Sequence, residues 1–364
     1  MKDKENNTIT VVENINKHYL ALGNSGNGKT YWAMQKLNEL AEKGKRVMVL
    51  DFSGSYTESE VAKSNPGLLG KIKFVGTKES DGINWKNNYT SDSLFYDDVT
   101  DSIIKVLGIN SYYQTKLLRE AVEKQLKGFP NFSFPMLVFT LKKMLGLIEE
   151  RQDDDNAEIM LKRIEEKKEE KLRSDDDMKN LERLLSRLAP YEHIFNFGIM
   201  KETKEEDALI TVIQLHEMPL LKKRFLTSFI LEIIWRELKF EQGERHCDVL
   251  VLDEFQFLPF AEDDAFPNLL RESRRFGLEM ILISQFISNY SKAEISTLLQ
   301  VGQKLFFGPT EEDLGFTARL IAFDNTKEWM SILSNLSKGE AVYKGAYTLN
   351  ENDFLCNEPI VCCI

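Results

Sequence analysis

The chain has 364 residues, a formal net charge of −11 and 42% hydrophobic residues. That length can bury a sizeable core in one large domain or two, and the acidic balance excludes a globally basic nucleic-acid surface, so any DNA contact must be local. No apolar run reaches the length of a membrane span, and the start, MKDKENNTIT, has no signal-peptide apolar region. Cys247, Cys356, Cys362 and Cys363 have neither metal spacing nor the count of a disulfide framework, which fits a reducing cytoplasm.

Taken in chain order, the first strong signal is the apolar run Tyr19-Leu20-Ala21-Leu22, which predicts a strand. Gly23-Asn24-Ser25-Gly26-Asn27-Gly28-Lys29-Thr30 follows it and reads G-x-x-x-x-G-K-[ST], a phosphate-binding loop. Its glycines let backbone N–H groups face phosphate oxygens, Lys29 reaches the β- and γ-phosphates of a nucleotide, and the Thr30 hydroxyl holds Mg²⁺. Trp32, Met34, Leu37, Leu40 and Ala41 then predict an amphipathic helix over 31–43, whose N-terminal dipole faces the phosphates. The run 46–51 predicts a second strand, ending in the turn Asp51-Phe52-Ser53-Gly54-Ser55-Tyr56 beside the nucleotide.

From residue 99 the apolar spacing becomes helical, through Ile103, Ile104 and Leu107, then Leu117, Leu118, Val122 and Leu126. Pro130 and Pro135 interrupt it, and a further helix is expected over 137–148. Residues 149–177 carry 13 acids and 7 bases and read as a solvated helix pair or an arm. Helical spacing returns at Met178, Leu181, Leu184, Leu185 and Leu188.

Residues 209–215 predict another strand and 224–240 a long apolar helix. Asp248-Val249-Leu250-Val251-Leu252-Asp253-Glu254 has the pattern of a buried parallel strand ending in two acids. Asp253 would join the Mg²⁺ shell and Glu254 would polarise the attacking water. Residues 269–276 predict a helix with Arg271, Arg274 and Arg275, and 280–285 a strand ending at Gln285, whose amide can sense a γ-phosphate. Runs at 304–307 and 341–344 complete an α/β fold with a mainly parallel sheet. Expected bounds are a first core part over 1–98, an all-helical insertion over 99–205 and a second core part over 206–364. Lys222-Lys223-Arg224, after the 209–215 strand, is the expected local contact for DNA phosphates, the alternative being a helix start with ordinary surface lysines.

The segments GNSGNGKT, VMVLDFSGSY, VLVLDEFQFL, LRESRRFGLEMILISQ and LSKGEAVYKG resemble, in order and spacing, the HerA–FtsK superfamily of ring-forming P-loop ATPases. The nearest branches are HerA-like proteins and the ATPases of conjugation and type IV secretion. The resemblance implies a RecA-like core, a homo-hexameric ring and double-stranded DNA drawn through its channel. It implies that Gln285 is the γ-phosphate sensor and that Arg274 completes the neighbouring subunit's site. The sequence carries no nuclease or protease constellation, so chemistry beyond NTP hydrolysis is expected from a partner nuclease or effector; the alternative, which the acidic balance favours, is a scaffold or regulator of such an effector, for example in anti-phage defence. Ser55 departs from the glutamate common in the family's turn, and Phe286-Ile287-Ser288 from its usual Arg-Pro-Ser. The chain starts close before Tyr19, so the N-terminal β-barrel of HerA is expected to be missing.

Overall fold

Runs that are apolar on both faces become parallel strands sealed from water on both sides. In the computed structural model every residue of β3 (Tyr19–Leu22), β4 (Val47–Asp51) and β9 (Val249–Asp253) is buried. The structure describes residues 1–12, 16–76, 82–83, 91–128, 132–148, 173–194, 196–197, 208–240, 246–350 and 354–364. Pro130 and most of the charged 149–177 segment lie outside them.

Two compact units emerge. The first comprises Met1–Val75, Lys204–Pro219 and Arg245–Ile364. Besides β3, β4 and β9, it contains β1 (Lys2–Asp3), β2 (Ile9–Val11), β5 (Ile72–Val75), β8 (Ile210–Gln214), β10 (Glu279–Ser284), β11 (Gln303–Phe307), β12 (Glu340–Lys344), β13 (Tyr347–Leu349) and β14 (Ile360–Cys363). Ten strands form one sheet in the order β1-β14-β12-β11-β3-β10-β9-β4-β8-β5. From β11 to β5 the neighbours are parallel; the β12, β14 and β1 edge is antiparallel.

The expected strands all appear, within a residue or two at their ends. The short β1 and β2 before β3 escaped the sequence because they are too brief to show alternation; they pair with β14 and β13. Helix α1 (Lys29–Glu42) buries Trp32, Ala33, Met34, Leu37, Leu40 and Ala41. The expected 269–276 helix is instead α-helix over Ala265–Glu272 and a 3-10 turn over Ser273–Phe276, which Gly277 ends in a left-handed conformation.

The second unit comprises Gly76–Thr203 and Leu220–Glu244. It holds the short parallel pair β6 (Gly82–Ile83) and β7 (Asn196–Phe197) and the helices Asp92–Leu107, Tyr112–Gly128, Phe134–Met144, Asp175–Leu188 and Leu220–Phe240. Leu181, Leu184 and Leu188 form one buried stripe, as their spacing requires. Pro135 stands in the first turn of its helix, where its missing N–H is harmless. Phe132, Phe134, Tyr191, Phe225 and Phe229 pack together, with Tyr191 and Phe225 stacked at 3.8 Å between centroids. Lys222, Lys223 and Arg224 lie in the first turns of the Leu220–Phe240 helix, the helix start that the sequence offered as the alternative.

Candidate nucleotide site

Strand register assembles the site in the first unit. Ser284 pairs with Leu22, and Ile283 pairs with Asp253. The residues that follow, Gly23, Gln285 and Glu254, therefore leave the carboxyl edge of three adjacent strands together. Such an edge is where open α/β sheets place their ligands.

The loop after β3 needs its glycines. Gly23, Gly26 and Gly28 have φ of 146°, 82° and 108°, a region unfavourable to side chains. A Cβ on Gly23 would also lie 2.6 Å from that of Phe307. Lys29 is buried, and its Nζ donates to Gly23 O at 2.6 Å and Asn24 O at 3.0 Å. Burial lowers its pKa, while the Glu254 and Asp253 charges oppose the shift. Asn24, Ser25 and Gly26 are exposed at the tip; Asn27, Gly28 and Thr30 are half-buried.

Asp253 is buried, and burial raises its pKa to about 7, the neighbouring Asp51 and Glu254 adding to the effect while Ser53 and Lys29 oppose it. Ser53 Oγ donates to Asp253 Oδ2. Asp51, also fully buried, organises the turn after β4: its carboxylate accepts the N–H groups of Gly54, Ser55 and Tyr56 at 2.9, 3.2 and 3.1 Å. The same turn buries the Tyr56 ring.

Glu254 has φ of 53°, uncommon for a non-glycine residue and concentrated at functional sites. Its two carboxylate oxygens are held by two amides. Gln285 Nε2 donates to Oε1 at 2.9 Å, and Gln256 Nε2 donates to Oε2. Gln256 Oε1 in turn accepts from the buried Ser284 hydroxyl at 2.6 Å, which fixes the orientation of that amide. Sequence reasoning missed Gln256 and Ser284; the polar pair flanking Phe255 and the serine ending an apolar strand were the available signals.

Arg274 does not join this cluster. It lies on the exposed turn that precedes β10, whereas Gln285 follows β10, so the two occupy opposite edges of the sheet. Beside that edge, His18 is 1% exposed. Its Nδ1 accepts from Met280 N at 3.0 Å, and burial, with a smaller contribution from the Arg274 charge, lowers its pKa to about 4.

A family model for the central domain of helicase HerA matches residues 3–234. The chain belongs to that family. The match takes in the phosphate loop but ends before Asp253, Glu254 and Gln285. No curated protein matches the chain. Among solved structures, it is similar to VirB4 of Thermoanaerobacter pseudethanolicus, with 18% identity and a TM-score of 0.61 over 100% of this chain and 94% of that one. It is also similar to the bacterial conjugative coupling protein TrwB, in an unbound form with 16% identity and a TM-score of 0.60 over 96% of this chain and 84% of that one. TrwB in complex with the non-hydrolysable ATP analogue ADPNP matches with 14% identity and a TM-score of 0.55 over 94% and 85% of the two chains. At these identities the likeness establishes the RecA-like P-loop fold, with its mainly parallel sheet, for this HerA-family chain. Among the described residues no helix is long and apolar enough to cross a membrane.

Proposed function

We propose that the protein is an ATP hydrolase that assembles as a closed hexameric ring and moves double-stranded DNA in concert with a partner nuclease or effector. The observation that carries the reading is the convergence of Lys29, Asp253, Glu254 and Gln285 at one sheet edge. Residues 23–30 would cradle the phosphates, and Gln285 would report the γ-phosphate to Glu254 through their hydrogen bond. Glu254, with both oxygens already oriented, would align and polarise the attacking water; phosphoryl transfer depends on such positioning.

The donor set fits Mg²⁺. Among the described residues no group of three or more His, Cys, Asp or Glu forms a metal cage. A Thr30 hydroxyl and one buried Asp253 carboxylate suit a cation that keeps waters and takes its other ligands from phosphates. Thr30 and Asp253 would hold the ion, whose charge would offset that of the phosphates. Burial raises the Asp253 pKa to about 7, so its protonated fraction near neutral pH would lose the proton on becoming a ligand.

TrwB complexes with ADPNP and with ADP and Mg²⁺ support the nucleotide and metal assignment by analogy of fold. Arg274 supports a ring. Lying at the opposite sheet edge from its own phosphate loop, it would serve a nucleotide only on a neighbouring subunit. The net charge of −11 favours a second reading, an ATPase scaffold or regulator of an effector that does not translocate DNA.

Both readings are separated by ATPase rates measured with and without linear duplex DNA. Wild-type turnover should rise with DNA; turnover indifferent to DNA supports the scaffold. Glu254→Gln should retain ATP binding while hydrolysis falls on the order of a hundredfold or more. Near-normal turnover in that variant would remove Glu254 from the role.

A further inference from the structure

The segment Leu336-Ser337-Lys338-Gly339-Glu340 has no part in the chemistry above, yet it is fastened to the phosphate loop. Residues 337–340 form a tight turn. Glu340 N donates to Ser337 O at 2.9 Å, and Ser337 N donates to Glu340 Oε2 at 2.8 Å. Gly339 has φ of 86°, as the third position of such a turn requires. The turn is pinned from two sides. Gly339 N donates to Asn27 O at 3.1 Å, and Gly339 O accepts from Ile364 N at 2.9 Å. Packing is equally close, since a Cβ on Gly28 would lie 3.3 Å from Gly339 Cα.

Gly308, at the end of β11, makes a second fastening. Its carbonyl accepts from Asn24 N at 2.9 Å and from Asn27 Nδ2 at 2.6 Å. β11 and β10 lie on opposite sides of β3. Gly308 and the 337–340 turn therefore flank the phosphate loop on the side away from Asp253, Glu254 and Gln285. Lys338 occupies the exposed corner of this turn, and among the described residues it has no ion-pair partner.

We infer that Lys338 is a second cation for the phosphate chain of the bound nucleotide, acting from the flank away from the γ-phosphate. The inference rests on the nucleotide reading above. Its physical basis is a flexible lysine stem mounted on a rigid turn that touches the loop at Asn27 and Gly28. The acids and Gln285 define where hydrolysis takes place. A cation on the other flank meets phosphate oxygens that ADP and ATP share and whose charge the reaction leaves largely unchanged. Such a contact strengthens ground state and transition state alike, so it sets affinity and not turnover.

The test is a titration of the full chain with fluorescent ADP and with a fluorescent non-hydrolysable ATP analogue, using wild type, Lys338→Met, Lys338→Arg and Lys29→Ala. Lys338→Met should weaken both nucleotides about tenfold, the size of one charge-assisted hydrogen bond. Its KM for ATP should rise by the same factor at a kcat within about twofold of wild type. Lys338→Arg should restore most of the affinity, and Lys29→Ala should abolish binding. Unchanged affinity in Lys338→Met, or loss of the ATP analogue without loss of ADP, overturns the assignment while the nucleotide reading stands. A wild-type protein that binds neither nucleotide overturns both.

Discussion

Protonating His18 should loosen the first unit in mild acid by an amount the structure specifies. The imidazole is 1% exposed and its Nδ1 accepts the N–H of Met280, so the folded protein holds it neutral, with a pKa of about 4 against 6.5 for the free side chain. Because the folded pKa is depressed, the unfolded chain takes up the proton first. Stability therefore falls as pH drops through 6.5 and stops falling below about 4. At pH 5.0 the unfolded histidine is 1.5 pH units below its pKa while the folded one is still neutral, which amounts to about 2 kcal/mol lost relative to pH 7.5. His18→Gln keeps a side-chain acceptor for Met280 N and removes the titration. Asp253, whose pKa is raised to about 7, gives an opposite trend, with stability gained as pH falls through 7. That contribution is common to both proteins and drops out of their difference. Hydrogen exchange of the β3 and β10 amides, corrected for the intrinsic pH dependence of exchange, isolates the first unit. Protection in wild type should fall about 30-fold more than in His18→Gln between pH 7.5 and 5.0, the equivalent of 2 kcal/mol. Parallel pH profiles in the two proteins would refute the reasoning.

Two further outcomes concern assembly and DNA. Arg274→Ala and Lys29→Ala should each be inactive alone, but rings containing both in equal number should recover up to about a quarter of wild-type ATPase, the share of interfaces that pair an intact loop with an intact arginine. No recovery in rings shown to contain both subunits counts against Arg274 acting across the interface. Replacing Lys222, Lys223 and Arg224 together by Ala should weaken duplex binding and make the slope of log K against log salt shallower by roughly three units per engaged subunit. An unchanged slope moves the DNA contact elsewhere.

The site was legible in the sequence where chemistry is local. The loop of Gly23 to Thr30 carries its proposed phosphate binding in consecutive residues, because such binding uses backbone N–H groups and glycine readily adopts the required φ values. β3, β4, β9 and β10 were legible because a strand buried on both faces must be apolar throughout. Asp253, Glu254 and Gln285 stood out as polar residues at the ends of such runs. Helices with one buried stripe, such as Asp175–Leu188, followed from spacing alone.

What the sequence could not determine is which distant residues meet. Register, a property of paired strands, brings Gln285 to Glu254 and Ser53 to Asp253 across separations of 31 and 200 positions. Contacts in three dimensions group the Leu220–Phe240 helix with the second compact unit, whereas periodicity alone bracketed the helical block at 99–205. The 337–340 turn reaches Asn27 only because β12 runs antiparallel to β11 beside β3. Apolar pattern reports whether a strand is buried; the order of strands within the sheet, set by the packing of the whole unit, decides which loops share an edge.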